Sequence, residues 1–171
     1  MSTTSETKFV AYLRKLQTTL DSSPLSYIAK IYDDSPREDI NATGQFPRLQ
    51  VKEVVSSSSF SGIGNTNRLY STTLEATIFV DMMTPFDYTD AKISAFWSAS
   101  RNMSPEEATG AIAYHISKEV AQNKATLHTD NSNKFLLRGN TSYTDMGIDN
   151  TYFKNLNVYK GSISFDFYLR D

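Results

Sequence analysis

Two runs of residues that alternate between apolar and polar constrain the fold of this chain more than any other feature. In the first, Leu49, Val51 and Val55 are interleaved with mostly polar residues. The second covers 69–83 and places six residues on one face, namely Tyr70, Leu74, Ala76, Ile78, Val80 and Met82. A period of two residues is typical of half-buried strands. Because the runs follow each other closely, they predict an antiparallel β-hairpin.

The first run begins sharply and ends in a stretch of small polar residues. Pro47 lacks an N–H, so it can begin a strand but cannot lie inside a central one. The sequence SSSSFSGIGNTNR at 56–68 predicts a long, flexible hairpin loop. Its apolar residues either pack on the protein's own sheet or become buried on a partner. The candidate partner interface on this loop comprises Ser59, Phe60, Ile63, Asn65, Asn67 and Arg68.

A helix is predicted on each side of the hairpin. Thr3 and Glu6 form a capping box for the first, whose apolar stripe is Phe9, Leu13, Leu16 and Leu20. For the second, Ser104 is the N-cap, Pro105 takes the first helical position and Glu107 completes a capping box. Its stripe is Ile112, Ile116, Val120 and Leu127.

The remaining segments complete the outline. Residues 33–45 read as a surface loop, and 84–104 as an insert containing a short helix at 90–100. Short strands are predicted at 135–138, at 141–144 and over 156–169, where the apolar phase shifts by one residue near Gly161 and indicates a bulge or turn. With no internal repeat or linker, residues 1–171 form one α+β domain with a mainly antiparallel sheet, packed by an N-terminal and a central helix.

Composition narrows the functional classes. The chain has 171 residues, a net charge of −2 with scattered basic residues, and no cysteine. These values disfavour a sequence-specific nucleic-acid interface and exclude disulfides and thiolate chemistry. No segment resembles a signal peptide or a membrane span, so we expect a soluble protein.

Motifs for catalysis or cofactor binding are weak, and we expect a non-enzymatic protein without cofactor or metal. His115 and His128 are the only histidines, and His115 with Glu119 one turn later is expected to be a solvated or salt-linked pair. The calcium-loop pattern from Asp130 fails at its sixth and twelfth positions. The sequence GIGNTN at 62–67 lacks the third glycine of a dinucleotide-binding loop.

The order of elements resembles that of the tail-terminator and tail-completion (neck) proteins of long-tailed phages and related archaeal viruses. Those chains share a proline-marked strand entry, a variable loop, a second strand, a helix and terminal strands. The residues that carry the resemblance are Phe46, Pro47, Arg48, Leu49 and Val51 in the first run, with Leu74, Ala76, Ile78 and Val80 in the second. The insert at 84–104, with Trp97, and the long segment before Phe46 depart from that pattern.

The resemblance implies a structural virion protein that is assembled in the host cytoplasm and located in the tail or neck. Such subunits form a homo-oligomeric ring, commonly a hexamer, which caps the tail tube and joins it to the head connector. Genome DNA passes through the ring. The resemblance implies no membrane contact and transfers no individual site residue.

Three other interpretations remain open. The protein is another ring-forming neck subunit or a tail-tube subunit, which would stack into tubes. Alternatively it is a small-ligand-binding α+β domain with a pocket under Trp97 and Tyr114. The third alternative is a hydrolase that uses His115 or His128.

Overall fold

A computed structural model describes residues 4–19, 25, 28, 30–33, 47–60, 68–81, 86–87, 102–149 and 158–170. Its helices are α1 (Thr4–Thr19), α2 (Pro105–Gln122) and α3 (Lys124–Asp130). Its strands are β1 (Lys30–Asp33), β2 (Arg48–Phe60), β3 (Arg68–Asp81), β4 (Phe86–Asp87), β5 (Asn102–Met103), β6 (Phe135–Ile148) and β7 (Val158–Arg170).

Five of the strands form one sheet in the order β1-β2-β3-β7-β6. Only the β1–β2 pair is parallel, and the predicted hairpin is the antiparallel β2–β3 pair. Helix α1 contacts β1, β2 and β3, while α2 contacts β3, β7 and β6. The α+β class and the packing of an N-terminal and a central helix on a mainly antiparallel sheet are confirmed.

The core lies between the helices and one face of the sheet. Phe9 of α1 packs against both Phe165 and Phe167 of β7, with ring centroids 5.0 Å apart in each case, and Phe167 also stacks on Phe135 at 4.5 Å. The alternate residues of β3 that were predicted to be buried, Leu74, Ala76, Ile78 and Val80, lie in this core. The alternating apolar residues of β3 therefore lie on the side of the sheet that faces the helices.

Helix α2 begins as the sequence predicts. The Ser104 side chain accepts a hydrogen bond from the Glu107 amide at 3.2 Å, and Pro105 occupies the first turn. Asn123 ends the helix, its side-chain amide donating to Glu119 O at 2.9 Å. α3 follows directly, and the chain then reverses through Ser132 and Asn133, which both have positive φ, a conformation that asparagine tolerates well.

The hairpin connection is shorter than predicted. Residues 56–60 continue β2 and pair with β3 as far as Phe60–Arg68, so 56–60 and Arg68 belong to the strands and not to the loop predicted at 56–68. Serine-rich sequence carries no apolar alternation, but backbone pairing with β3 imposes the strand there. Residues 61–67 lie outside the described residues.

The bulge or turn predicted near Gly161 does not interrupt β7 itself, although a register shift of β6 lies opposite Gly161. β7 pairs with β3 from Val158 to Arg170 without a shift, and the irregularity lies on the neighbouring strand, between Asp145 and Gly147. The apolar phase changes because Val158 is buried on the other face of the sheet, at the end where Phe79 and Arg48 are also buried. The change in the apolar pattern thus reflects a second buried cluster and not a slip in the pairing of β7 with β3.

The proposed insert is closed at its base. β4 and β5 pair through Phe86–Met103 and Asp87–Asn102, so the chain leaves and returns at one place. The helix predicted at 90–100 and the loop predicted at 33–45 lie outside the described residues.

At the C-terminal side, the two short strands predicted around Gly139 form a single strand, β6, with a register shift between Leu137 and Thr141.

Candidate assembly interface

The interface residues predicted from the sequence lie at the end of the hairpin. Ser59 and Phe60 pair with Leu69 and Arg68, at the last two rungs of the β2–β3 ladder. Ile63, Asn65 and Asn67 lie outside the described residues. Three of the six predicted interface residues, Ser59, Phe60 and Arg68, therefore lie at the ends of paired strands. The structure also shows residues on the edges of the sheet that the local sequence pattern did not indicate as interface residues.

One such edge is on β6, the last strand of the sheet among the described residues. The amide of Arg170 donates to Lys134 O at 2.8 Å, so even-numbered residues of β7 direct their backbone groups towards β6. Ser142 and Thr144 pair with two of these even residues, so their N–H and C=O groups point towards β7. The residues between and beside them, Thr141, Tyr143 and Asp145, therefore direct their N–H and C=O groups away from the sheet. We call residues 141–145 the β6 window.

A second edge is on β2. β1 pairs only with the first four residues of that strand, from Arg48 to Val51. The next outward amide, that of Glu53, donates to Glu6 Oε1 of α1 at 2.6 Å. After the register shift at Val54, alternate residues of β2 again direct their N–H and C=O groups towards β3. Among residues 56–60, the residues whose backbone groups point away from β3 are Ser56, Ser58 and Phe60. We call residues 56–60 the β2 window.

Side chains cover individual backbone groups elsewhere on the two edges. His128 Nε2 accepts a hydrogen bond from the outward amide of Leu137, in the first half of β6, at 3.0 Å. On the other side of the sheet, Arg14 donates to Ile31 O through Nε at 3.1 Å and Nη2 at 2.6 Å. Covering of this kind is how proteins prevent unwanted edge pairing, and within the described part of the chain no such cover lies over the two windows.

Exposed apolar side chains gather beside the windows. Five large apolar side chains are exposed among the described residues, and only Tyr114, on the outer face of α2, lies away from these edges. The other four are Val54, Tyr143, Met146 and Ile148. A set of apolar side chains along a strand edge is typical of a surface that becomes buried on a partner.

The β6 side is also anionic. The Tyr159 hydroxyl donates to Asp145 Oδ1 at 2.6 Å, and this hydrogen bond raises the pKa of Tyr159 above its usual value. Burial, then the charges of Asp145 and Glu106, raises the pKa of Tyr143. Both tyrosines are therefore neutral at physiological pH, and two carboxylates stand beside the window.

The histidines have structural surroundings. His115 and Glu119, expected to be a solvated or salt-linked pair, are 3% and 5% exposed, so they are not solvated. Burial, aided by the nearby positive charge of Lys118, lowers the pKa of His115 to about 4, so its ring is neutral at pH 7. Burial likewise lowers the pKa of His128, whose Nε2 is engaged by β6. No group of three or more metal-ligating side chains occurs within the described ranges.

The pocket suggested under Trp97 and Tyr114 needs correction. Trp97 lies outside the described residues, and Tyr114 is 63% exposed, so it does not line an enclosed cavity. A different cavity of about 310 Å³ lies between α1 and α3. Its floor includes Ala11, Tyr12 and Leu127, and the Lys15–Asp130 ion pair at 2.5 Å closes one side.

The sheet face away from the helices is polar between its two ends. Thr73 donates to Asp166 Oδ1 at 2.7 Å, and the guanidinium of Arg138 lies 4.6 Å from the ring centroid of Tyr168. Glu75 and Thr77 are half-buried on the same face. An antiparallel sheet with helices on one side commonly shows such a solvated second face.

No protein-family model and no curated protein sequence matches the chain. Among the helices that the structure describes, none is both long and apolar enough to cross a membrane. Support for a function therefore comes from the geometry of the edges and from the order of the elements.

Proposed function

We propose that the protein is a structural, non-enzymatic subunit of a viral tail or neck, a tail terminator that forms a ring capping the tail tube and joining it to the head connector. One observation carries the proposal: on each of the two opposite edges of a single sheet there is a window that no other described strand or helix covers. Because these windows belong to different strands, a contact between them is head-to-tail, and repeated head-to-tail contacts close into a ring when the rotation allows.

The order of elements adds support. The helix, the proline-marked strand, the returning strand, the capped helix and the terminal strand pair follow one another as they do in the terminator and neck proteins that the sequence resembles. On this proposal the partners are further copies of the chain, a tail-tube protein and a head-connector protein, and the ring is a hexamer through which DNA passes in the virion.

A role for the hairpin connection follows. β2 and β3 remain paired to Phe60–Arg68, so residues 61–67 leave the sheet at one point, beside the end of β7. This position suits a segment that contacts the ring above or below. The apolar Ile63 and the polar Asn65 and Asn67 are the side chains that it offers.

A loop replacement tests this role. Residues 61–67 are exchanged for Asn-Gly, the two-residue turn that best closes an antiparallel hairpin. We expect an unchanged circular dichroism spectrum and unchanged rings, with loss of binding to tail tubes in a pull-down. A variant with 61–67 replaced by seven Gly and Ser residues is the length control. Tube binding by the Asn-Gly variant would contradict the role of the connection.

The alternatives make different assemblies. A tail-tube subunit stacks into long tubes, whereas a terminator or other neck subunit stops at single rings. A small-ligand-binding domain rests on the cavity between α1 and α3 and predicts a monomer or dimer. Electron microscopy of the purified protein separates the three, since it shows tubes, rings or particles of one or two subunits.

A further inference from the structure

We infer that neighbouring copies join by β-strand addition, the β6 window of one copy pairing antiparallel with the β2 window of the next, so that one sheet continues from subunit to subunit. This inference rests on the proposed ring and states which atoms hold it together. Its occupant is a second copy of this chain.

Strand direction favours this pairing. β2, β3, β7 and β6 are each antiparallel to the next, so β6 runs opposite to β2. A copy related by rotation about a ring axis presents its β2 in nearly the same direction as the first copy's β2. Its β2 therefore meets the neighbouring β6 antiparallel, and the alternation of the sheet continues across the subunit boundary.

The two windows also match in length. Each has five residues, and each directs the backbone groups of three of them outwards. With the windows centred on each other, Ser58 lies opposite Tyr143, with the other outward residues paired on either side. A five-residue pairing is close to the usual length of strands in globular proteins.

The same alignment matches the exposed apolar side chains. Beyond the β2 window towards the start of β2 comes Val54, which is 53% exposed. Beyond the β6 window come Met146 and Ile148, which are 42% and 53% exposed. Because the strands are antiparallel, these three residues meet across the boundary.

The alignment predicts a tilted ring. Within one subunit, Tyr143 is level with Val51 through Ile163 and Ala76. From Val51 to Ser58 the sheet advances six rungs, about 20 Å at ~3.4 Å per residue. Each subunit contributes four strands between its windows, about 19 Å at ~4.8 Å per strand. Strands inclined at roughly 45° to the ring axis accommodate both distances. This inclination is near the strand tilt of closed barrels.

Proline substitution tests the backbone contact. Ser58→Pro removes an outward N–H that no described neighbour uses, whereas Ser58→Ala keeps it and serves as the matched control. We expect Ser58→Pro to raise the concentration needed for ring formation at least about tenfold, with an unchanged circular dichroism spectrum, and Ser58→Ala to behave as wild type. Thr141→Pro and Thr141→Ala form the corresponding pair on β6.

Cross-linking tests the alignment. The chain has no cysteine, so a variant carrying both Ser58→Cys and Tyr143→Cys contains only the two introduced thiols. Directly opposed hydrogen-bonded residues have Cα atoms ~5.5 Å apart, within the range that a disulfide spans. Mild oxidation should give a ladder of covalent multimers on a denaturing gel, and each single variant should remain monomeric on the same gel.

The outcomes separate the inference from the proposed function. Rings that survive both proline substitutions, or a double-cysteine ring that yields no covalent multimers, overturn the strand-addition contact but leave the ring intact. Disulfide dimers of the Ser58→Cys single variant would indicate a two-fold contact and also overturn it. A wild-type protein that never assembles contradicts the proposed function itself.

Discussion

At the scale of single residues, the buried His115 makes stability depend on pH. Its pKa is about 4 in the folded protein and ~6.5 in the unfolded chain, so between these values the unfolded state binds more protons. Folding stability is therefore complete above about pH 6.5 and falls as pH decreases towards 4. The predicted loss is about 2 kcal/mol between pH 7 and pH 5, measured by urea unfolding at both pH values.

The variant His115→Gln isolates this contribution. It lowers stability at pH 7, but the difference between pH 7 and pH 5 should shrink by about 2 kcal/mol relative to wild type. His128 keeps its own lowered pKa in both proteins and contributes equally to each. An unchanged pH dependence in His115→Gln would show that His115 is not the group responsible.

Two glycines form a matched pair for substitution by alanine. A Cβ at Gly161 would lie 2.6 Å from the Tyr143 hydroxyl and 2.8 Å from Thr109 Cγ2, whereas one at Gly110 would meet nothing within 4 Å. We expect Gly161→Ala to destabilise the protein by about 1–3 kcal/mol because Thr109 is buried and cannot move aside. Gly110→Ala, inside α2, should stabilise it by about 0.5–1 kcal/mol. Thermal unfolding of both variants checks the signs, and equal shifts would refute the steric argument.

At the scale of elements, His128 connects the end of α3 to the first half of β6. His128→Ala leaves the Leu137 N–H without its acceptor, so we predict a loss of about 1–2 kcal/mol. Hydrogen exchange at the Leu137 amide should accelerate by roughly tenfold, while the amide of Ile163, on the buried strand β7, keeps its protection in native conditions. Equal acceleration at both amides would mean global and not local loosening.

The positions of the helices and strands could be predicted from the local sequence wherever an element buries only one of its faces. The stripes of α1 and α2, the cap at Ser104 and the alternation of β3 were all predicted because burial of one face imposes a period on the sequence. The phase change at Val158 was misread because residues on the second face are also buried there. The serine-rich end of β2 was missed because its strand geometry comes from pairing with β3 and not from its own side chains.

Prediction of the candidate interface was weaker for a topological reason. Ser59 and Phe60 were selected from the composition of their segment, and they lie in or beside the β2 window. Nothing in the local pattern indicated the β6 window, since an edge exists only once the order of strands is known. The sole local signal was the apolar Met146 and Ile148 in a polar stretch, which period-two reasoning alone would assign to a core.

At the scale of the whole molecule, the sheet has two unlike edges, one on β2 and one on β6. Helices cover one face of the sheet, a polar face remains on the other, and on our proposal one edge pairs with the opposite edge of another copy. Such a molecule satisfies both windows only by closing a ring or extending a filament.

Native mass spectrometry combined with electron microscopy of the purified protein tests this central claim most directly. We predict closed rings with a single subunit number, with six times the 19.2 kDa mass of the chain for the proposed hexamer. These rings should disappear in Ser58→Pro but not in Ser58→Ala. A wild-type protein that remains monomeric up to its highest soluble concentration would contradict it.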